Sequence, residues 1–212
     1  MKTNDLIRAL AADSATRPMS LRQAFAVAMI PAVVIAACLF LAILGPRPHF
    51  FGLLAEPRFA FKICLALLLA ALSAGLVKRL GKPGAGTHRD ILRLAIVPAL
   101  LGTGIAAELL AVPPDLWGQR LIGTNALICL ISIPFLGLAP LAGALFCLRQ
   151  GAPENPTFAG AAAGLLGGAI GAALYASHCL DDSPLFVAVW YSLAMVLIAA
   201  LGAIAGSRLL RW

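Results

Sequence analysis

Six long apolar blocks follow one another along the chain: Gln23 to Leu44, Phe59 to Val77, Leu94 to Val112, Ile122 to Leu148, Phe158 to Ala176 and Leu185 to Ala205. Each is close to or longer than the roughly 20 residues that an α-helix needs to cross a hydrocarbon core about 30 Å thick. The breaks hold Gly, Pro and charge, at Gly45-Pro46-Arg47-Pro48, Lys78 to Arg93, Pro113-Pro114-Asp115, Arg149 to Pro156 and His178 to Pro184. These residues end helices. The pattern predicts an all-α, polytopic membrane protein with six transmembrane helices. Residues 1–22 precede them as a cytoplasmic amphipathic segment, and residues 23–212 form the transmembrane domain. Alternating ten-residue segments, the mark of a barrel, are too few. The first block is too long for a signal-peptide core and no small-residue cleavage site closes it, so it reads as a retained helix.

Composition agrees with the pattern. The chain is 61% hydrophobic and 12% charged, against about 25% charged residues in a soluble domain. That leaves no room for a separate globular catalytic domain. The net charge of +7 raises nucleic acid as a partner, but sorting the basic residues by side accounts for them without it. Of 16 Lys and Arg, 12 fall on one side: Lys2, Arg8, Arg17, Arg22, Lys78, Arg79, Lys82, Arg89, Arg93, Arg149, Arg208 and Arg211. Arg47, Arg58, Lys62 and Arg120 make up the other 4. Basic loops are retained in the cytoplasm, so the expected topology is N-in/C-in.

The fifth block contains Gly160, Gly164, Gly167, Gly168 and Gly171, giving one helix face almost no side chain. Gly160/Gly164 and Gly167/Gly171 have the spacing that lets helix backbones approach closely in lipid, and Gly202 and Gly206 repeat it. Packing within one subunit is the first reading of these faces, a homodimer interface the second. Pro134 and Pro140 fall inside the fourth block, where each removes a backbone donor and can kink the helix.

Motifs for catalysis are missing. The chain has no Walker sequence, His-Glu-x-x-His pair, Gly-x-Ser-x-Gly elbow or Cys-x-x-Cys, so an enzyme is not expected and no cofactor is implied. Lys62 and Glu108 are the charges inside predicted spans. Both lie near the outer ends of their helices, where they snorkel to the interface or pair with one another more readily than they mark a transport path.

Counting back about 20 residues from Arg149 at ~1.5 Å each puts Cys129 near the outer edge of its helix, at the depth of Cys179 in the outer loop. Disulfides persist on that oxidising side, although spacing alone does not establish a bond. Cys38, Cys64 and Cys147 read as packing residues. His178, Asp181 and Asp182 crowd around Cys179, and all four are metal-ligand types, but no regular zinc spacing is present and no metal is assigned.

In the N-terminal segment, Leu6, Ile7 and Leu10 fall on one helical face with Lys2, Asp5, Arg8 and Asp13 mostly elsewhere. Arg17-Pro18 ends that helix. Such a helix lies on a membrane surface or in the groove of a soluble partner, and the residues alone do not choose.

Several stretches carry a family likeness: Met1 through Leu10, Leu121-Ile122-Gly123-Thr124-Asn125-Ala126 on to Cys129 and Pro134, and His178-Cys179-Leu180-Asp181-Asp182-Ser183-Pro184-Leu185-Phe186 with Trp190-Tyr191. Together they resemble the NrsF family, negative regulators of extracytoplasmic-function sigma factors, over essentially the whole chain. Family patterns have Pro or another small residue where this chain has Leu180. The resemblance implies an anti-sigma factor of the bacterial inner membrane. Its cytoplasmic N-terminal segment, through Asp5, Leu6, Ile7, Arg8 and Leu10, would hold a sigma factor until a stress signal reaches periplasm-side cysteines, here Cys129 and Cys179. Its partners are then a cytoplasmic sigma factor and membrane lipid, without direct nucleic-acid contact. The alternative is a small transporter or channel, which predicts a polar path at mid-membrane and an inverted repeat; the sequence has neither.

Overall fold

The computed structural model describes residues 19–211, and every regular element in that range is helical. Six helices are long and apolar enough to cross a membrane: α1 (Leu21–Ile43), α2 (Pro57–Leu80), α3 (His88–Ala111), α4 (Ala126–Arg149), α5 (Pro156–Ala176) and α6 (Pro184–Leu209). The amphipathic reading of Asp5, Leu6, Ile7, Arg8 and Leu10 lies outside the described residues.

Local chemistry explains where the helices start. Ser20 caps α1 in a reciprocal capping box with Gln23. Asn155 caps α5 through the Phe158 N–H, and Ser183 caps α6 through the Leu185 N–H. Pro occupies the first turn of α2, α5 and α6, where its missing N–H costs no helical bond.

Two helix starts differ from the expected ones by more than two residues. The third helix starts at His88, not Leu94, because its polar first turn is itself good helix material: Asp90 suits the helix N-terminus and pairs with Arg79 and Arg93. Pro98 cannot donate back to Leu94, and the helix breaks at Ala95 into His88–Leu94 and Ile96–Ala111. The fourth helix starts at Ala126, not Ile122. Trp117–Ile122 is a short separate helix, and Gly123 turns the chain at φ 62°. Pro134 and Pro140 both sit inside an uninterrupted α4.

Helix α5 is the centre of the bundle, packed against α6, α4 and α2. A Cβ at Gly160 would meet the backbone of Gly202 and Gly206, and one at Gly164 that of Ile198 and Ala199, all on α6. Gly167 and Gly171 face Gly137, Leu141 and Ile133 of α4 in the same way. Both small-residue pairs are therefore spent on contacts within the chain. Outward surfaces are apolar, with Leu110 90% and Ile30 65% exposed, a surface that suits hydrocarbon better than water.

Candidate functional site: the loop between α5 and α6

Residues 177–183 join α5 to α6 and hold the whole end of the bundle together. The loop leaves α5 with the N–H groups of His178 and Cys179 both donating to the Tyr175 carbonyl at 2.9 Å. From the α1–α2 connection, the Arg47 N–H donates to the Ser177 carbonyl at 3.0 Å. The Arg47 guanidinium donates to the Cys179 carbonyl at 3.1 Å and to the Asp182 carboxylate at 2.9 Å. His178 Nδ1 lies 2.9 Å from the Gly45 carbonyl.

Lys62 of α2 is the innermost part of this network. It is 1% exposed, and its ammonium donates to the Cys179 carbonyl at 2.9 Å, the Asp181 carbonyl at 3.3 Å and Asp182 Oδ1 at 2.6 Å. An ammonium has three donors, and all three are used. This corrects the expectation that Lys62 snorkels or pairs with Glu108. Glu108, 3% exposed, pairs instead with Arg58 at 2.7 Å and Arg120 at 2.9 Å, and accepts from the Ser183 hydroxyl at 3.2 Å. A buried cation bonded on all sides has no reason to reach for the interface.

Asp181 faces the other way. Its carboxylate accepts from the backbone N–H groups of Thr124 at 3.1 Å and Asn125 at 2.9 Å, and from Asn125 Nδ2 at 3.1 Å. It therefore caps the N-terminus of α4 from another part of the chain, where a negative charge suits the helix dipole. One turn into that helix is Cys129.

Cys129 and Cys179 are 0% and 1% exposed and belong to one buried cluster with Tyr175, Phe186 and Tyr191. Both thiols are unbonded. The Tyr175 and Tyr191 hydroxyls are buried in the same cluster without a hydrogen-bond partner among the described residues. The Cys179 sulfur lies 3.8 Å from the Asp181 carbonyl. Burial raises the Cys179 thiol above its ordinary range, and the Lys62 charge opposes this more weakly. An open cleft of about 690 Å³ lies over the loop, lined by Arg120, Thr124, Leu180, Asp181 and Asp182 among others.

The sequence-level candidates thus divide by role. Cys129 and Cys179 come together. His178, Asp181 and Asp182 each have a structural partner, and among the described residues no three His, Cys, Asp or Glu side chains converge as metal ligands. Arg47, Tyr175 and Tyr191 were not anticipated as site residues. Arg47 had a signal, since it is one of the four basic residues on the cation-poor side and the acids Asp181 and Asp182 lie on that same side.

A family model described as "Negative regulator of sigma F" matches residues 10–212. A protein of Azospira oryzae named "Probable anti-sigma-F factor NrsF" is 36% identical over 221 residues, covering 100% of both chains. One of Caulobacter vibrioides named "Anti-sigma-F factor NrsF" is 35% identical over 215 residues, again covering 100% of both. No solved structure matches.

Proposed function

The chain belongs to the NrsF family of negative regulators of sigma F, and on that premise we propose that it is a membrane-embedded anti-sigma factor. Its N-terminal segment, through Asp5, Leu6, Ile7, Arg8 and Leu10, holds an extracytoplasmic-function sigma factor at the bacterial inner membrane. A stress signal at Cys129 and Cys179 on the periplasmic face releases it. The observation that carries this reading is full-length similarity to two proteins that bear the anti-sigma-F name.

The site supplies physical support. The two thiols share one buried cluster, so a change in their bonding acts on α4 and on the α5–α6 loop together. Asp181 ties that loop to the start of α4, and Lys62 ties it to α2. Either oxidation of the thiols to one another or capture of a thiol-seeking metal would strain both ties. The N-in/C-in topology draws support from charge pairing: the four basic residues of the cation-poor side all have carboxylate partners, Asp182 for Arg47 and Lys62, Glu108 for Arg58 and Arg120. Paired cations weigh little against the basic excess at the other end.

Co-purification tests the reading. The detergent-solubilised chain should retain a sigma factor, and Leu6→Asp with Leu10→Asp should abolish retention while insertion is unchanged, because burying charge in an apolar groove costs several kcal/mol. Cys129→Ser and Cys179→Ser should each hold the sigma factor through a stress challenge, with Cys147→Ser responding normally. Unchanged retention in the Leu6/Leu10 double variant would refute the clamp, and release from both cysteine variants would refute the sensor.

A further inference from the structure

At the opposite end of the bundle from the Cys179 loop, α1 begins beside the end of α2, and a cleft of about 730 Å³ opens between them. Among the described residues its lining includes Ser20, Arg22, Gly75, Lys78, Arg79 and Lys82, four cations and no acid. The carboxylates described at this end are already engaged. Asp90 pairs with Arg79 and Arg93, and Glu154 accepts from the Gly84 N–H at 2.8 Å. Among the described residues, Arg22, Lys78 and Lys82 are left without a carboxylate partner. The contrast with the far end is direct, since all four cations there reach Asp182 or Glu108. Three cations around one cleft, with no carboxylate among the described residues to offset them, repel each other and attract an anion between them.

The cleft also has an apolar continuation. Leu21 fills the space over Gly81 and closes the top of the α1–α2 contact, whereas nothing lies within 4 Å of a Cβ placed on Gly75. Helix α1 packs mainly on α4 and α2 on α5, so the two touch each other only sparsely. Further along α2, on the same helical face as Lys78, Leu67 is exposed. The Lys78 ammonium stands 5.2 Å from the centre of the Phe25 ring, at the boundary between charge and hydrocarbon. A free phosphate would use only the cations. A phosphate carrying acyl chains would use both surfaces.

We propose that this cleft binds an anionic phospholipid, its headgroup phosphate among Arg22, Lys78 and Lys82 and its chains along α1 and α2. Basic pockets between helices at a membrane face take such headgroups, each nearby Lys or Arg adding to the attraction.

The test uses the full chain in detergent with phosphatidylglycerol, phosphatidylcholine or inorganic phosphate, reading bound lipid by mass spectrometry of the intact protein and the shift in Tm. Wild type should retain phosphatidylglycerol over phosphatidylcholine and gain Tm from it, with phosphate alone giving little. Lys78→Gln with Lys82→Gln should weaken retention roughly thirtyfold, Lys78→Arg with Lys82→Arg should keep it, and Arg149→Gln with Arg208→Gln, the same charge loss outside the cleft, should match wild type. Equal loss from both Gln pairs would reduce the effect to diffuse charge and overturn the site. A full Tm gain from phosphate alone would assign the cleft to a free anion. Unchanged lipid retention in the Lys78/Lys82 pair, with loss of a bound sigma factor, would assign it to a protein partner.

Discussion

Lys62 and Asp182 meet at 2.6 Å, yet the Lys62 side chain is fully buried and the Asp182 side chain is 23% exposed. The two partners are therefore unequal in what each leaves behind. Lys62→Met leaves Asp182 paired with Arg47 at 2.9 Å and partly in solvent, so it should cost about 1–2 kcal/mol. Asp182→Asn leaves a buried ammonium with only carbonyl partners and should cost about 3–5 kcal/mol. The double variant should be more stable than Asp182→Asn alone. Thermal unfolding in detergent reads all three. If Lys62→Met proves as damaging as Asp182→Asn, the desolvated cation is not what the network serves.

That pair also marks where sequence reading stops. The six helices were legible because length and hydropathy are properties of one segment at a time. The partners of Lys62 were not, because Asp182 lies 120 residues away and only the packing of α2 against α5 brings them together. Reading Lys62 with Glu108 treated the two buried charges as a closed set, when Arg58, Arg120 and Asp182 at the helix ends were the nearer partners. The start of α3 was misplaced for a related reason, since an apolar count does not register the polar first turn His88–Asp90, and the Arg79 partner of Asp90 lies in the preceding helix. Cys129 and Cys179 were placed at one depth by counting residues, but their common burial beneath the Asp181 and Lys62 ties needed the fold.

Gly123 is the hinge of the α4 cap. It sits at φ 62° and ψ −166°, a region essentially reserved for glycine. A Cβ there would also meet the Phe186 ring at 2.6 Å and the Asp181 carboxyl carbon at 2.8 Å. Gly123→Ala should destabilise the protein by about 1–3 kcal/mol from backbone strain alone, and should displace Asp181 from the Thr124 and Asn125 N–H groups. Hydrogen exchange at the start of α4 should rise while the opposite end of the helix stays protected. Uniform exchange along α4 would argue against a local cap.

The α5–α6 contact admits no side chain at its glycines. At Gly164 a Cβ would lie 2.7 Å from the Ala199 Cα, a backbone atom that cannot turn aside as a side chain would. Gly164→Val should separate the helices and cost at least about 1–3 kcal/mol, seen as lower Tm or loss of folded protein. Gly102→Ala on α3, where nothing lies within 4 Å, should cost nothing and gain up to about 1 kcal/mol from helix propensity. Similar losses from both would mean that general helix effects, not close approach, explain the glycines.

The Cys179 thiol carries a pH signature. Burial raises its pKa above the ordinary 9.0, with Lys62 opposing. Since the unfolded chain then ionises first as pH rises, the protonated thiol contributes stability that is present below about pH 9 and lost above it. Reactivity follows the same sign, because the thiolate is the nucleophile. Alkylation of Cys179 by iodoacetamide in the folded protein should be slower at pH 8 than in the detergent-denatured chain, and should keep climbing above pH 9, where the denatured chain levels off. Lys62→Met removes the opposing charge and should push that rise to still higher pH, whereas a mere opening of the loop would speed alkylation at every pH. Peptide mass spectrometry separates Cys179 from the exposed Cys38 and Cys64. If Cys179 in the folded protein levels off at the same pH as in the denatured chain, the thiol is not held in the buried, protonated state described.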